Sequence, residues 1–175
     1  MSCDISRGRL EPCKDSVGGL NAVYFINKGD LGAVTYDSTD TDVIDSVAGT
    51  PDAYKFDIKG ASTYTENITS SRENGTTTFE QVLELQLTKL TKEDHKTVKL
   101  LAFGSPTVLV EDNNGNVFIA GLEHGLDVSG GTIVSGASMG DMSGYTLTFS
   151  GMEKAPANFL GDTISAVGFT VTEGV

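Results

Sequence analysis

The chain has 175 residues with 38% hydrophobic and 21% charged side chains, which is one domain's worth of sequence with enough apolar content for a core. Its formal net charge of −12 and pI near 4.4 exclude binding of DNA or an anionic membrane by bulk charge. No apolar run approaches the roughly 18 to 20 residues of a membrane-spanning helix. The 21 glycines, set among many Thr, Ser and Val residues, point to strands joined by tight turns.

Met1 to Arg7 contains no apolar core of a signal peptide, so a cytosolic product is expected. Cys3 and Cys13 have neither redox nor zinc spacing. Reduced thiols are the expectation and a disulfide between them is the alternative. Residues 1–20 read as an irregular arm rich in Gly, Arg, Lys and Asp. Val23–Ile26 is a short strand of buried type, and Val34–Tyr36 continues in β composition. Asp37 to Asp42 is an acidic loop. It lacks the glycine pivot and closing Glu of a calcium loop, and a solvated surface loop explains it.

Tyr54, Phe56 and Ile58 alternate with Lys55, Asp57 and Lys59, a period-two pattern that Gly60 interrupts with a bulge or bend. The pattern resumes through Thr63–Ile68, turns at Ser70–Gly75, and returns as Thr76–Leu87. In the return arm Phe79, Leu83, Leu85 and Leu87 share one face, and Glu80, Val82, Glu84 and Gln86 share the other. The two arms predict one long β-hairpin over Tyr54–Leu87, each arm reaching roughly 40 Å at about 3.3 Å per residue.

Thr91–Phe103 is the best helix. Thr91 is a suitable N-cap, Glu93 and Asp94 favour the positive end of the dipole, and Gly104 and Pro106 stop it. Val98, Leu100 and Leu101 form its expected apolar stripe. Lys92, Lys96 and Lys99 share a face, and His95 reads as a surface histidine. Thr107–Val110 and Val117–Ala120 flank an Asp-Asn-Asn-Gly turn, a strong hairpin signal. Thr132–Val134 and Tyr145–Phe149 are further strands around the Gly-rich link Ser135–Gly144. A strand follows that link, whereas a phosphate-cradling loop needs a helix there. The fold class is therefore mainly β: a sandwich or barrel of about eight strands with one flanking helix, as a single domain over 1–175.

No catalytic motif occurs. His95 and His124 lie far apart in sequence, and no G-x-S-x-G, H-E-x-x-H or C-x-x-C string is present. Glu80 and Glu84 lie about 13 Å apart along a strand, too far for paired-carboxylate hydrolysis. No enzyme activity, cofactor or metal site is expected, and a structural or binding role is.

The string E-N-G-T-T-T-F-E-Q-V-L-E-L-Q-L-T-K-L-T-K-E-D, from Glu73 to Asp94, resembles the tail tube proteins of tailed bacteriophages. So does M-G-D-M-S-G-Y-T-L-T-F-S-G-M-E-K-A-P-A, from Met139 to Ala157. The opening from Cys3 to Phe25 resembles the start of small phage virion proteins. The resemblance covers most of the chain but not the C-terminal extension, 161–175. It implies a β-sandwich or barrel with one helix and a hairpin that reaches a neighbouring subunit. It also implies homo-oligomeric, hexameric rings stacked into a hollow tube for DNA ejection.

The further expectations follow from that resemblance. Glu80, Glu84, Glu66 and Asp57 would line the lumen and repel DNA, which passes without specific binding. Arg72, Glu73, Asn74 and Gly75 at the hairpin tip, with Lys92 and Lys96 on the helix, would contact neighbouring subunits or a sheath. The N-terminal arm and Ser135–Gly144 would order only in a ring. Tail sheath, tape measure and tail terminator proteins are the implied partners. The implied location is the virion tail, assembled in the host cytoplasm without a membrane anchor. Two other readings are a head–tail completion or capsid decoration protein, and a carbohydrate-binding β-sandwich. The second usually presents an aromatic platform, but here Trp is absent and most aromatics sit at inward positions.

Overall fold

Strands dominate because the chain alternates apolar and polar residues over short runs separated by Gly, Asn and Asp turns. The computed structural model describes residues 3–58 and 60–174. Lys59, placed above in the first hairpin arm, lies outside the described residues, as do Met1, Ser2 and Val175. The strands are β1 (Leu20–Ile26), β2 (Val34–Tyr36), β3 (Val43–Val47), β4 (Asp52–Asp57), β5 (Thr63–Ser71) and β6 (Thr76–Thr88). They continue as β7 (Thr107–Asp112), β8 (Val117–Ala120), β9 (Asp127–Val134), β10 (Gly144–Glu153), β11 (Asn158–Leu160) and β12 (Thr170–Thr172). Helix α1 (Lys92–Phe103) follows β6, and a single-turn helix α2 (Ile164–Val167) precedes β12.

The fold is mainly β and consists of two sheets with one main helix, which agrees with the sandwich class read from sequence. One sheet has eight strands in the order β12-β4-β1-β7-β8-β11-β3-β2. The other has four in the order β5-β6-β10-β9. The twelve described strands exceed the eight or so expected; β3 and β11 are short and lie in segments whose composition carries no clean alternation, whereas β12 falls where the sequence reads as a weak strand around Phe169–Val171.

Two cores flank the larger sheet. Val23, Phe25, Val108 and Val110 face the smaller sheet and meet Leu83, Leu85, Tyr145, Leu147 and Phe149. Phe25 packs edge-on against Phe56 at 4.9 Å between ring centroids and lies 5.3 Å from Phe149. Ala22, Tyr24, Ile26 and Leu109 face the other way into a second core with Ile44, Val47, Ile164, Val167 and Phe169. The two central strands β1 and β7 are thus buried on both faces, which is why they read as continuous apolar runs rather than alternations. Residues of the C-terminal extension fill the second core, and β12 pairs in parallel with β4.

The long hairpin differs from expectation in one way. Its first arm is broken between Ile58 and Ser62. Strand β4 pairs with β1 and β12 in the larger sheet, and only β5 pairs with β6. Gly60, with φ of +119°, sits at the crossing between the sheets. The hairpin proper runs from Thr63↔Glu84 to Ser71↔Thr76, so its first arm spans about 30 Å rather than 40.

Helix α1 begins where the sequence placed it. Thr91 is the N-cap, its hydroxyl accepting from the Asp94 N–H at 3.0 Å, and Glu93 and Asp94 occupy the first turn. Gly104 closes the helix in an extended conformation and donates its N–H to the Leu100 carbonyl at 3.1 Å. The expected apolar stripe is narrower than predicted. Val98 and Leu101, three residues apart, pack into the first core, whereas Leu100 is 62% and Phe103 80% exposed. At about 100° per residue Leu100 points nearly opposite to Val98.

The β7–β8 turn has a second task. The Asp112 carboxylate accepts from the N–H groups of Asn114 at 2.9 Å and Asn116 at 2.8 Å. That leaves the Asn113 and Asn114 side chains to hold the N-terminal arm. The Asn114 amide accepts from Val17 N–H at 2.9 Å and donates to the Val17 carbonyl at 2.7 Å. Asn113 donates to the Gly18 carbonyl at 2.9 Å. The arm before it carries no regular structure and is exposed, including Cys3 and Cys13, which are free.

Two outcomes follow. Leu83→Ala should cost about 2–5 kcal/mol by leaving a cavity between the sheets, whereas Leu100→Ala should stay within about 0.5 kcal/mol, as urea titration will read. Burial works against ionisation of Asp112, but the bonds from Asn116 and Asn114 outweigh it and hold its pKa below the ordinary value. The stabilisation is therefore present above about pH 3.9 and is lost as pH falls through the lower folded value. Amide exchange at Asn114 and Asn116, referenced to Asp112→Asn, should stay slow at pH 5 and converge with the variant only in stronger acid.

Candidate functional site

Strand pairing decides which side chains share a surface. In β6 the residues Leu83 and Leu85 face the core, so Glu80, Val82, Glu84 and Gln86 face away from it. The register extends this outer face across the sheet. Glu80 lies opposite Asn67 and Met152, Val82 opposite Thr65 and Ser150, and Glu84 opposite Thr63 and Thr148. Gln86 lies opposite Thr146, which pairs with Thr132. Asp127 lies opposite Ser150, so the face carries hydroxyls, the apolar Val82 and Met152, and three carboxylates: Glu80, Glu84 and Asp127. None of its strand positions holds a Lys or Arg among the described residues. Met142 of the Ser135–Gly144 link reaches this face at Gln86, its sulfur accepting from the Gln86 side-chain N–H, and β5 and β9 form the two edges of the sheet.

Only two of the four carboxylates assigned to a common acidic face are on it. Glu80 and Glu84 are. Glu66 lies opposite Gln81, which is buried, and so belongs to the core-facing side. Its carboxylate accepts from the Tyr64 hydroxyl at 2.8 Å and from the Ala157 N–H at 3.1 Å. Burial, with the bond to Glu66 after it, pushes the Tyr64 hydroxyl's pKa far up. Asp57 is the last residue of β4 in the other sheet, 3.5 Å from the Lys55 ammonium. The sequence reading had joined β4 and β5 into one strand, and the crossing at Ile58–Ser62 removes Asp57 from that surface.

The two sets of expected contact residues lie at opposite ends of β6. Arg72, Glu73, Asn74 and Gly75 form the exposed turn at the tip of the β5–β6 hairpin, with Gly75 at φ +64°. Beneath the tip Ile68 is 69% exposed, because the hairpin runs on past the core that covers Leu83 and Leu85. Lys92 and Lys96 are exposed on α1, which starts after the far end of β6, about 40 Å from the tip along the strand. The Ser135–Gly144 link is tied internally. Asp141 accepts from the Ala137 and Ser138 N–H groups at 2.9 and 2.8 Å, and these bonds lower its pKa.

One cluster escaped the sequence reading. His124 and Glu123, in the turn between β8 and β9, meet Glu153 at the end of β10. Glu153 is 6% exposed, and one of its oxygens accepts from the N–H groups of Glu123 at 3.2 Å and His124 at 2.9 Å. The signal was present. Glu153 continues the inward parity of Tyr145, Leu147 and Phe149, and a carboxylate at such a position needs partners from another element. Gln81 is the same case on β6; its side-chain oxygen accepts from the Gly121 N–H at 2.8 Å.

Compared with known proteins, the chain matches no family model, no curated protein and no solved structure. Among the described residues no helix is long and apolar enough to cross a membrane.

The two sides of the sheet should respond differently to loss of charge. Glu66→Ala removes the acceptor of two bonds and should cost about 1–3 kcal/mol. Glu84→Ala, on the open face, should change stability by no more than about 0.5 kcal/mol. Equal costs in denaturant titration would contradict the register.

Proposed function

We propose that the chain is a structural subunit that assembles with copies of itself into stacked rings forming a hollow phage tail tube. The observation that carries this reading is the four-stranded sheet, whose outer face is polar, acidic and free of Lys and Arg and whose two edges are strands of nine and eight residues. An edge presents a row of unpaired N–H and C=O groups, and closing sheets into a ring removes it. In such a ring the Glu80 and Glu84 face would point to the lumen. Repeated around the channel, those carboxylates would repel phosphate and let DNA slide without being held.

The remaining surface suits association. The protruding hairpin offers Arg72 to Gly75 and the exposed Ile68 to a neighbour. Phe103 and Ile133 add further exposed apolar side chains. The lysine face of α1, with Lys92 and Lys96, lies away from the acidic face and suits contact with an outer layer such as a sheath. Six subunits per ring, the tape measure and terminator partners, and location in the virion tail rest on the sequence resemblance.

Negative-stain microscopy of the concentrated protein, with mass photometry beside it, tests the reading. Hollow tubes or rings with a central hole are expected, and Ile68→Asp should lower the fraction assembled. A chain that stays monomeric at high concentration, also with tail initiator proteins, would point instead to a decoration or binding module.

A further inference from the structure

We propose that Glu123, His124 and Glu153 form a binding site for one divalent transition-metal ion of the zinc class. The three residues offer one imidazole nitrogen and two carboxylate oxygens, all within 4.8 Å of one another. A zinc ion holding such ligands at about 2.0–2.2 Å sets them somewhat closer than that, and a modest rotation of the exposed Glu123 side chain closes the difference.

The donors are differently prepared, in a way that suits a metal. Glu153 is the fixed anchor. It is buried, and its Oε1 is held by the backbone N–H groups of Glu123 and His124, so its position does not depend on a metal. Its Oε2 is turned to His124 Nδ1 at 3.2 Å. The imidazole is largely exposed, leaving its other nitrogen to water. A metal ion between Nδ1 and Oε2 would replace the hydrogen-bonding proton there. It would also place positive charge beside a buried carboxylate.

Glu123 supplies the third, adaptable ligand. Its Oε2 lies 3.3 Å from the Lys154 ammonium, but both side chains are exposed and such a pair opposes displacement only weakly. A cavity of about 170 Å³ borders the cluster, lined by Gln81, Asp42 and Asn158 as well as by Glu123 and Glu153. It leaves room for the water that would complete a four-coordinate ion. One imidazole with two carboxylates suits zinc and its neighbours better than magnesium, which retains its waters and prefers oxygen alone. The ion would tie the β8–β9 turn to the end of β10. This inference stands independently of ring assembly.

Calorimetric titration of the full chain with zinc chloride tests it. The Cys3→Ser/Cys13→Ser background removes the two exposed thiols as competing ligands. One zinc per chain is expected, with magnesium giving no heat. His124→Ala, which removes an exposed ring and leaves the fold intact by circular dichroism, should weaken binding about tenfold or more. His95→Ala should leave it unchanged. Saturating zinc should raise the midpoint of thermal unfolding by roughly 5 °C, and His124→Ala should clearly reduce that rise at the same zinc concentration. Absence of zinc binding, or binding that survives His124→Ala at full strength, overturns the proposal.

Discussion

The ladder between β6 and β10 runs unbroken from Gly144↔Thr88 to Glu153↔Phe79, and the rest of the molecule is arranged around its parity. Side chains alternate with a period of two, so a single register decides every residue on both strands. It sends Leu83, Leu85, Tyr145, Leu147 and Phe149 into the core and leaves Glu80, Glu84, Thr146 and Thr148 outside. Glycine helps to fix it. A Cβ on Gly144 would lie 2.0 Å from the Leu87 carbonyl, so the strands approach there only because residue 144 has none. A slip of β6 by one residue would bury Glu80 and Glu84 and expose Leu83 and Leu85, and desolvation alone excludes it.

The larger sheet solves a different problem. Its central strands have apolar residues on both faces, which demands a covering layer on each side. The smaller sheet and α1 cover one, and α2 with its flanking strands covers the other. Closing the second side brings α2, near the end of the chain, against β3, which precedes it by more than a hundred residues. The C-terminal segment is therefore an integral part of the packing, and the outer face of the smaller sheet lies on the side away from the first core.

Much of this was legible in the sequence for physical reasons. The strict alternation of Phe79 to Leu87 fixed the two faces of β6. The cap at Thr91 and the stop at Gly104 and Pro106 bounded the helix, because both rest on local hydrogen bonding. The turn at Arg72–Gly75 and the Asp-Asn-Asn-Gly hairpin were equally local. What escaped was set by distant partners. The crossing at Ile58–Ser62 looks like a continuing strand, since Tyr54–Ile58 and Thr63–Ile68 share one periodicity while pairing in different sheets. That cost the correct placement of Asp57, whereas the alternation itself puts Glu66 in phase with Tyr64 and Ile68 on the inward side. Glu153 and His124 are 29 residues apart, and no spacing rule joins them.

The amide clasp on Val17 and Gly18 makes the N-terminal segment a tether with a defined root. The described residues ahead of it, 3–16, are exposed, Ile5 and Leu10 at 92% each. Because Asn113 and Asn114 sit in the β7–β8 turn, any pull on the segment passes through that turn into β7 and its neighbour β1 in the larger sheet.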